Sequence, residues 1–270
     1  MSRNPREMGR GGPKKGVVSV LCTLLLFCPA NAKEYVYKAI LLKNPAPIRI
    51  DGDLSDWEGL GAEVEVIGNI CVSAGNSPLS PPSDESDLSG SFRCIVDPED
   101  FYIAVEVKDD RLVFGEEKFG ESHNDDAVEV YFDGDLAPKK YGEGIDYDAN
   151  DAEIRLSKDK SGKVSLEGMG LFGDRLFMFP GLWESLGIKG AIKEQPWGYT
   201  AELKVPKIVF VAVPLWPGVE IGFQIMVNDD DDGGRRDSKI SWTEDLKDES
   251  WYTTRYFGKL VIEKSAEVER

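Results

Sequence analysis

Apolar and polar residues alternate with a period of two in short runs along most of this chain. Over residues 127–133, Val128, Val130 and Phe132 face one way, and Glu129, Tyr131 and Asp133 face the other. That spacing predicts a strand with one face turned to a core. Residues 35–42, 48–50, 64–72, 91–96, 101–108, 152–156, 164–166, 188–194, 199–205, 221–227 and 256–262 read as further strands, and another ends at Trp242. Turn-forming residues punctuate them, as in Asp97-Pro98-Glu99-Asp100, Asp159-Lys160-Ser161-Gly162 and Pro196-Trp197-Gly198. Helical period is not sustained anywhere; single turns after Asp53 and at residues 207–210 are all that is expected. Residues 73–89, rich in Ser, Pro, Gly and Asp, read as a mobile loop, and residues 168–187 as irregular. About a dozen short strands with turns between them predict an all-β protein, an antiparallel β-sandwich of immunoglobulin-like type.

The first 32 residues read differently. Arg3, Arg6, Arg10, Lys14 and Lys15 form a basic segment, residues 16–28 an apolar one, and Ala30-Asn31-Ala32 a small-x-small cleavage site. This is the pattern of a secretory signal peptide, too short in its apolar run to span a bilayer. Lipidation at Cys28 is disfavoured by the bulk of the preceding Phe27. Residues 33–270 are then expected as a single secreted, periplasmic or extracellular domain. Removing the leader's five basic residues and one acid takes the formal charge from −17 to −21. So acidic a chain has no basic patch for phosphates, which argues against nucleic acid as a partner.

Two cysteines remain after the leader, Cys71 and Cys94. Export favours a disulfide between them over a pair of buried thiols. Zinc is not expected from two cysteines and the single His123. Acidic loops are the candidate metal sites: Asp146, Asp148 and Asp151 in one, and the run from Asp229 through Asp231 to Asp232 in another. Their density of carboxylate oxygens suits calcium, or simply a solvated surface. Trp251 sits among Lys247, Asp248, Glu249, Ser250 and Thr253, company a core tryptophan seldom keeps. An aromatic framed by carboxylates and hydroxyls suits the flat face of a sugar ring. Trp57 and Trp242 are expected in the core, and Trp197 packed at its hairpin turn.

Five segments occur in a recognisable order: Ile50-Asp51-Gly52-Asp53 with Asp56-Trp57; residues 101–107 with Asp109-Asp110; Asn124-Asp125-Asp126-Ala127-Val128-Glu129; residues 198–206; and residues 221–260. Together they resemble the family 9 carbohydrate-binding modules, sugar-binding sandwiches often attached to xylanases. The resemblance implies a non-catalytic protein that binds plant-type polysaccharide or oligosaccharide ends of the xylan and cellulose class. It implies structural calcium, and a glycoside hydrolase acting on the same glycan as a partner. It places one half of an aromatic clamp on Trp251 and polar sugar contacts on Glu129, Arg155 and Asp248. The other clamp position falls on His123, smaller and more polar than an indole.

Other readings compete. Glu129 and Arg155 also read as a plain ion pair on a sheet face, and His123 as a loop residue. A glycoside hydrolase would need paired carboxylates, but with so many acids a candidate pair carries no information. Related DOMON-like sandwiches hold haem b for electron transfer, for which His123 and Met226 are the available ligands. A surface component that keeps the sandwich without a ligand is the remaining reading.

Overall fold

Residues at alternate positions separate cleanly into an inner and an outer set. The computed structural model describes residues 33–264, apart from 76, 116–117, 138–143, 173–174 and 210–215. The signal peptide expected over residues 1–32 lies outside the described residues. The strands begin with β1 (Val36–Leu41), β2 (Glu65–Ile67), β3 (Asn69–Ile70), β4 (Ser73–Ala74), β5 (Ser77–Pro78), β6 (Leu88–Val96), β7 (Asp100–Asp109) and β8 (Ala127–Asp133). They continue as β9 (Asp151–Lys158), β10 (Val164–Phe172), β11 (Arg175–Phe177), β12 (Lys189–Gln195), β13 (Gly198–Pro206), β14 (Glu220–Asp229), β15 (Ser238–Ser241) and β16 (Gly258–Lys264).

Hydrogen-bonded neighbours run in the order β11-β10-β9-β8-β14-β16-β1-β6-β7-β13-β12, with β15 added beside β14 and β2 beside β6. β1 is the seam. It pairs in parallel with β16 from Val36 to Leu41, but with β6 only through Ile40 and Leu41. The two arms on either side of this seam enclose the core. Phe92 on β6 meets Phe223 on β14 at 5.6 Å between ring centroids, and Phe101 on β7 meets Phe132 on β8 at 5.7 Å. Each such ring contributes roughly 1.5–3 kcal/mol by leaving water. The expected β-sandwich is what forms, and Val128, Val130 and Phe132 are on its inner face.

The outer face of the β6-β7-β13 layer is covered by residues 42–62, with Trp57 packed on Ile95, Tyr102 and Ala104. Glu202, buried on β13, accepts from Trp57 Nε1 at 2.8 Å, Gly52 N at 2.7 Å and Asp51 N at 2.9 Å. Gly52 has φ +81°, and a Cβ there would lie 2.7 Å from Lys193 Cβ. Only glycine allows so close an approach. This accounts for the Asp51-Gly52…Trp57 pattern as architecture.

Three expectations are corrected. Cys71 and Cys94 are free thiols, not a disulfide. Cys94 points into the inner core from β6, whereas Cys71 joins an outer cluster with Tyr131, Tyr147, Met169 and Met226. Residues 73–89 contain the β4–β5 hairpin and the start of β6; Ser80 N donates to Asp237 O at 3.0 Å, and Asp84 accepts from Ser86 N at 2.7 Å. Residues 168–187 continue β10, add β11 and close with one helical turn, α1 (Leu182–Ser185), which buries Trp183 with its Nε1 donating to Glu167 O at 2.7 Å. Glycine and aromatic content masked that strand signal.

Candidate functional site

The outer face of the β10-β9-β8-β14-β15 layer is unusually polar for a surface so little exposed. Register aligns Glu167, Arg155, Glu129, Met226 and Ser241 in one row across the five strands. Alternation turns each away from the core, because its strand neighbours such as Val128, Ile154 and Ile225 face inward. Lys239 follows the same rule, since its neighbour Ile240 is a core residue.

Glu129 is the hub. Its carboxylate accepts from Lys239 Nζ at 2.5 Å, Tyr131 OH at 2.6 Å and Asn228 Nδ2 at 2.8 Å, with Arg155 Nη1 at 3.7 Å. Lys239 also donates to Asp248 Oδ1 at 2.6 Å, and Arg236 pairs with Asp248 Oδ2. Arg236 donates to Asn228 Oδ1 at 2.9 Å and to the His123 carbonyl at 3.3 Å. Arg155 bonds Glu153 at 2.8 Å and Ser122 Oγ at 3.0 Å, and lies 3.4 Å from Glu167. The sequence pointed to Glu129, Arg155 and Asp248, and the fold gathers all three. Lys239, Arg236, Asn228, Glu153 and Glu167 were missed; the inward Ile240 was the available signal for Lys239.

These groups perturb one another strongly. Burial alone would raise the Glu129 carboxyl, but Lys239, Arg155 and Arg236 outweigh it and hold it well below the usual carboxylate range. Burial pushes Glu153 up to about 7, with Glu129 adding to the effect and Arg155 opposing it. Burial also lowers His123 to about 4, helped by the nearby Arg155 and Arg236 charges. His123 is therefore a neutral imidazole at physiological pH. Met226 is fully buried, packed with Cys71, Tyr131, Tyr147 and Met169.

Trp251 rides on the loop that carries Asp248. It is 45% exposed and stands edge-on to Tyr252 at 4.9 Å. The loop backbone is nonetheless fixed. Asp245 accepts from Glu249 N at 2.9 Å and Ser250 N at 2.7 Å. Tyr147 OH donates to Ser250 O at 2.6 Å, and Asp146 accepts from Thr253 Oγ1 at 2.7 Å. Asp248 itself has φ +55°, a left-handed conformation that aspartate tolerates better than most residues. The result is a half-exposed indole on the same fixed loop that carries Asp248 into the Glu129 network.

The candidate metal residues divide. Asp229 and Asp231 approach Asp87, and Asp229 also approaches Asp109 and Asp126; in each group one oxygen per residue lies within 4.8 Å of the others. Asp109, Asp126 and Asp229 are all buried, and Asp109 Oδ2 and Asp229 Oδ1 have no hydrogen-bond donor. Burial and mutual repulsion push Asp109 to about 6, Asp126 to about 9 and Asp229 to about 8. Such an all-oxygen set fits a hard divalent cation. Asp146, Asp148 and Asp151 form no comparable group among the described residues. Asp146 instead braces the Trp251 loop, and Asp151 Oδ2 accepts from Asp148 N at 2.7 Å.

The chain is 26% identical over 166 residues to Exoglucanase XynX of Acetivibrio thermocellus, covering 62% of this chain and 13% of that protein. It is 25% identical over 182 residues to Endo-1,4-beta-xylanase A of Thermoanaerobacterium saccharolyticum, covering 67% of this chain and 12% of that protein. The chain thus matches only about an eighth of the length of these relatives. A family 9 carbohydrate-binding module from Caldicellulosiruptor kristjanssonii, solved in complex with cellotriose, has the same fold: TM-score 0.58, 19% identity, covering 86% of this chain and 97% of that one. A putative carbohydrate-binding protein from Bacteroides uniformis follows at TM-score 0.53 and 14% identity, covering 86% of this chain and 100% of that one. The sequence model of the carbohydrate family 9 binding domain-like family matches residues 75–265, most of the chain, and the protein belongs to that family.

Proposed function

We propose that this protein is an exported, non-catalytic module that binds cellulose- or xylan-type glycans on the Glu129 face, with Trp251 as its apolar platform. The observation that carries this reading is that the loop bringing Asp248 into the Glu129–Lys239–Arg236 network also carries a half-exposed indole. A pyranose has one flat C–H face and a rim of hydroxyls. The indole takes the face, and the rim takes hydrogen bonds from Arg155 and Arg236 at the network's more open edge, held from behind by Glu129 and Asp248. Because these side chains are already locked together, little rotamer entropy remains to be lost on binding. His123 offers less apolar area than a second indole, so the platform is one-sided.

The names of similar proteins support the ligand class: two are an exoglucanase and a xylanase, and one solved neighbour holds cellotriose. A glycoside hydrolase working on the same polysaccharide is the partner this reading supplies. Calcium belongs to it as well, held by Asp109, Asp126 and Asp229, with Asp87 and Asp231 alongside. Bound there, the ion would neutralise repelling carboxylates and fix the loops that flank β8 and β14. The basic-then-apolar leader ending at Ala32 supports export.

Titration calorimetry with cello- and xylo-oligosaccharides tests the reading. Native protein is expected to bind, and Trp251→Ala and Glu129→Gln are each expected to weaken binding at least tenfold, about 1.4 kcal/mol or more. Absence of binding to every oligosaccharide, or unchanged affinity in Trp251→Ala, would sink it.

A further inference from the structure

A concavity lies elsewhere on the sandwich, lined by none of the Glu129 network. It encloses about 730 Å³ and is lined by Trp197, Val66, Ile70, Ser91, Glu106 and Lys108 among others. That volume is in the range of small-ligand clefts, roughly 300–1,000 Å³. Its floor is the end of the β6–β7 outer face beyond the Trp57 cluster, where Ser91 pairs with Glu106 and Ser89 with Lys108. Glu106 and Lys108 point away from the core because Val105 and Val107 point into it. The floor therefore belongs to the opposite layer from Glu129.

Trp197 is the unexpected part. The hairpin turn was expected to pack it, yet it is 43% exposed, nearly as open as Trp251. Its position is fixed from behind. Gly198 has φ +135°, and a Cβ there would fall 2.1 Å from Val107 O, so only glycine lets the turn lie flat on β7. Asp109 N donates to Trp197 O at 3.2 Å. The indole thus borders the groove from an anchored backbone, in a lining that also includes Val66, 66% exposed, and Ile70, 41% exposed.

We propose that this groove is a second glycan-binding surface, taking a neutral β-linked chain against Trp197; this extends the sugar-binding reading above and rests on it. Charge selects the occupant. Asp84, Glu85 and Glu106 outnumber Lys108 in the lining, on a chain of formal charge −17, so an anionic ligand is repelled. An apolar helix would bury Glu106 and Lys108 against hydrocarbon. A neutral polyol satisfies both signs through its hydroxyls and lays its C–H face on the indole. Two sites on opposite layers would hold two chain segments at once, and linked sites of this kind gain affinity for a polymer without new contacts.

Indole N–H resonances of the full-length 15N-labelled chain, assigned by single Trp→Phe variants, provide the test during titration with cellohexaose and xylohexaose. The Trp197 resonance is expected to shift and saturate, and to keep shifting in Trp251→Ala. Retention of Trp197→Ala on insoluble glycan is expected to fall about tenfold or more, its fold checked by circular dichroism. A Trp197 resonance unmoved at saturation while Trp251 shifts overturns the second surface and leaves the first intact. If neither resonance moves, both readings fall.

Discussion

Lys239, wholly buried on β15, donates to Glu129 on β8 across the intervening β14, at 2.5 Å. The same ammonium reaches Asp248 at 2.6 Å, so one cation holds two buried carboxylates in place. Burial works against the Lys239 charge, and Asp248 and Glu129 outweigh it, so its proton is held more tightly than usual. Lys239→Met would leave Glu129 and Asp248 buried with Arg236 and Arg155 alone. Breaking such a pair costs about 3–5 kcal/mol. Urea unfolding should show that loss, and Lys239→Met/Glu129→Gln should recover part of it. A loss under about 1 kcal/mol would contradict a buried pair, since that is the scale of exposed ones.

His123, the sole histidine, gives a direct reading of the field at this face. Its folded pKa of about 4 lies below the ordinary 6.5, chiefly from burial, with Arg155 and Arg236 adding to it. The unfolded chain therefore takes up a proton between pH 6.5 and 4 that the folded chain refuses. Stability should fall as pH drops through that window, by roughly 1–3 kcal/mol from this group. His123→Gln lacks this loss, so the two stability curves should converge or cross toward pH 4. An imidazole proton resonance that titrates near 6.5 in the native protein would overturn the assignment.

The sandwich was legible because its strands alternate strictly: Val128, Val130 and Phe132 against Glu129 and Tyr131. Trp57 and Trp242 were legible as core for the same reason of context. Glu129, Arg155 and Asp248 were legible through family resemblance, and the fold gathers them. Lys239 was not, because an isolated lysine reads as solvated; only its pairing with Asp248 on the next loop and with the sequence-distant Glu129 makes burial tolerable. Glu202 was hidden likewise, its partners Trp57 and Gly52 lying about 150 residues away. The cysteines misled because compartment says which bonds are permitted and nothing about which layer a side chain enters. Asp109 and Asp126 gave no signal until β7, β8 and β14 brought them to Asp229.

That last convergence predicts a metal dependence. Asp109, Asp126 and Asp229 are buried like charges, and without a cation one or more must take up protons. Calcium should therefore stabilise the protein against heat, by about 2.7 kcal/mol when present at a hundredfold its dissociation constant. Chelation should reverse the gain, and Asp229→Asn should abolish most of it. Asp146→Asn serves as the contrast: it should leave the calcium response in place while loosening the Trp251 loop through loss of the Thr253 contact. Identical melting curves with calcium and with chelator would remove the metal from the account.

The two thiols make the sharpest chemical prediction. Cys94 lies in the inner core and Cys71 in the outer cluster, where its Sγ donates to Asp245 O at 3.2 Å. Both are 0% exposed, and burial raises both well above the ordinary thiol range, so thiolate is scarce. Only thiolate reacts with alkylating agents. Iodoacetamide should leave Cys71 and Cys94 untouched in the native protein and modify both once guanidinium unfolds it. A reducing agent should not shift the thermal midpoint, because no crosslink between them restrains the unfolded chain. A non-reduced digest decides the matter: a peptide joining Cys71 to Cys94 would mean that the two layers pack differently from the arrangement described, since these side chains now enter separate clusters on either side of the sheet.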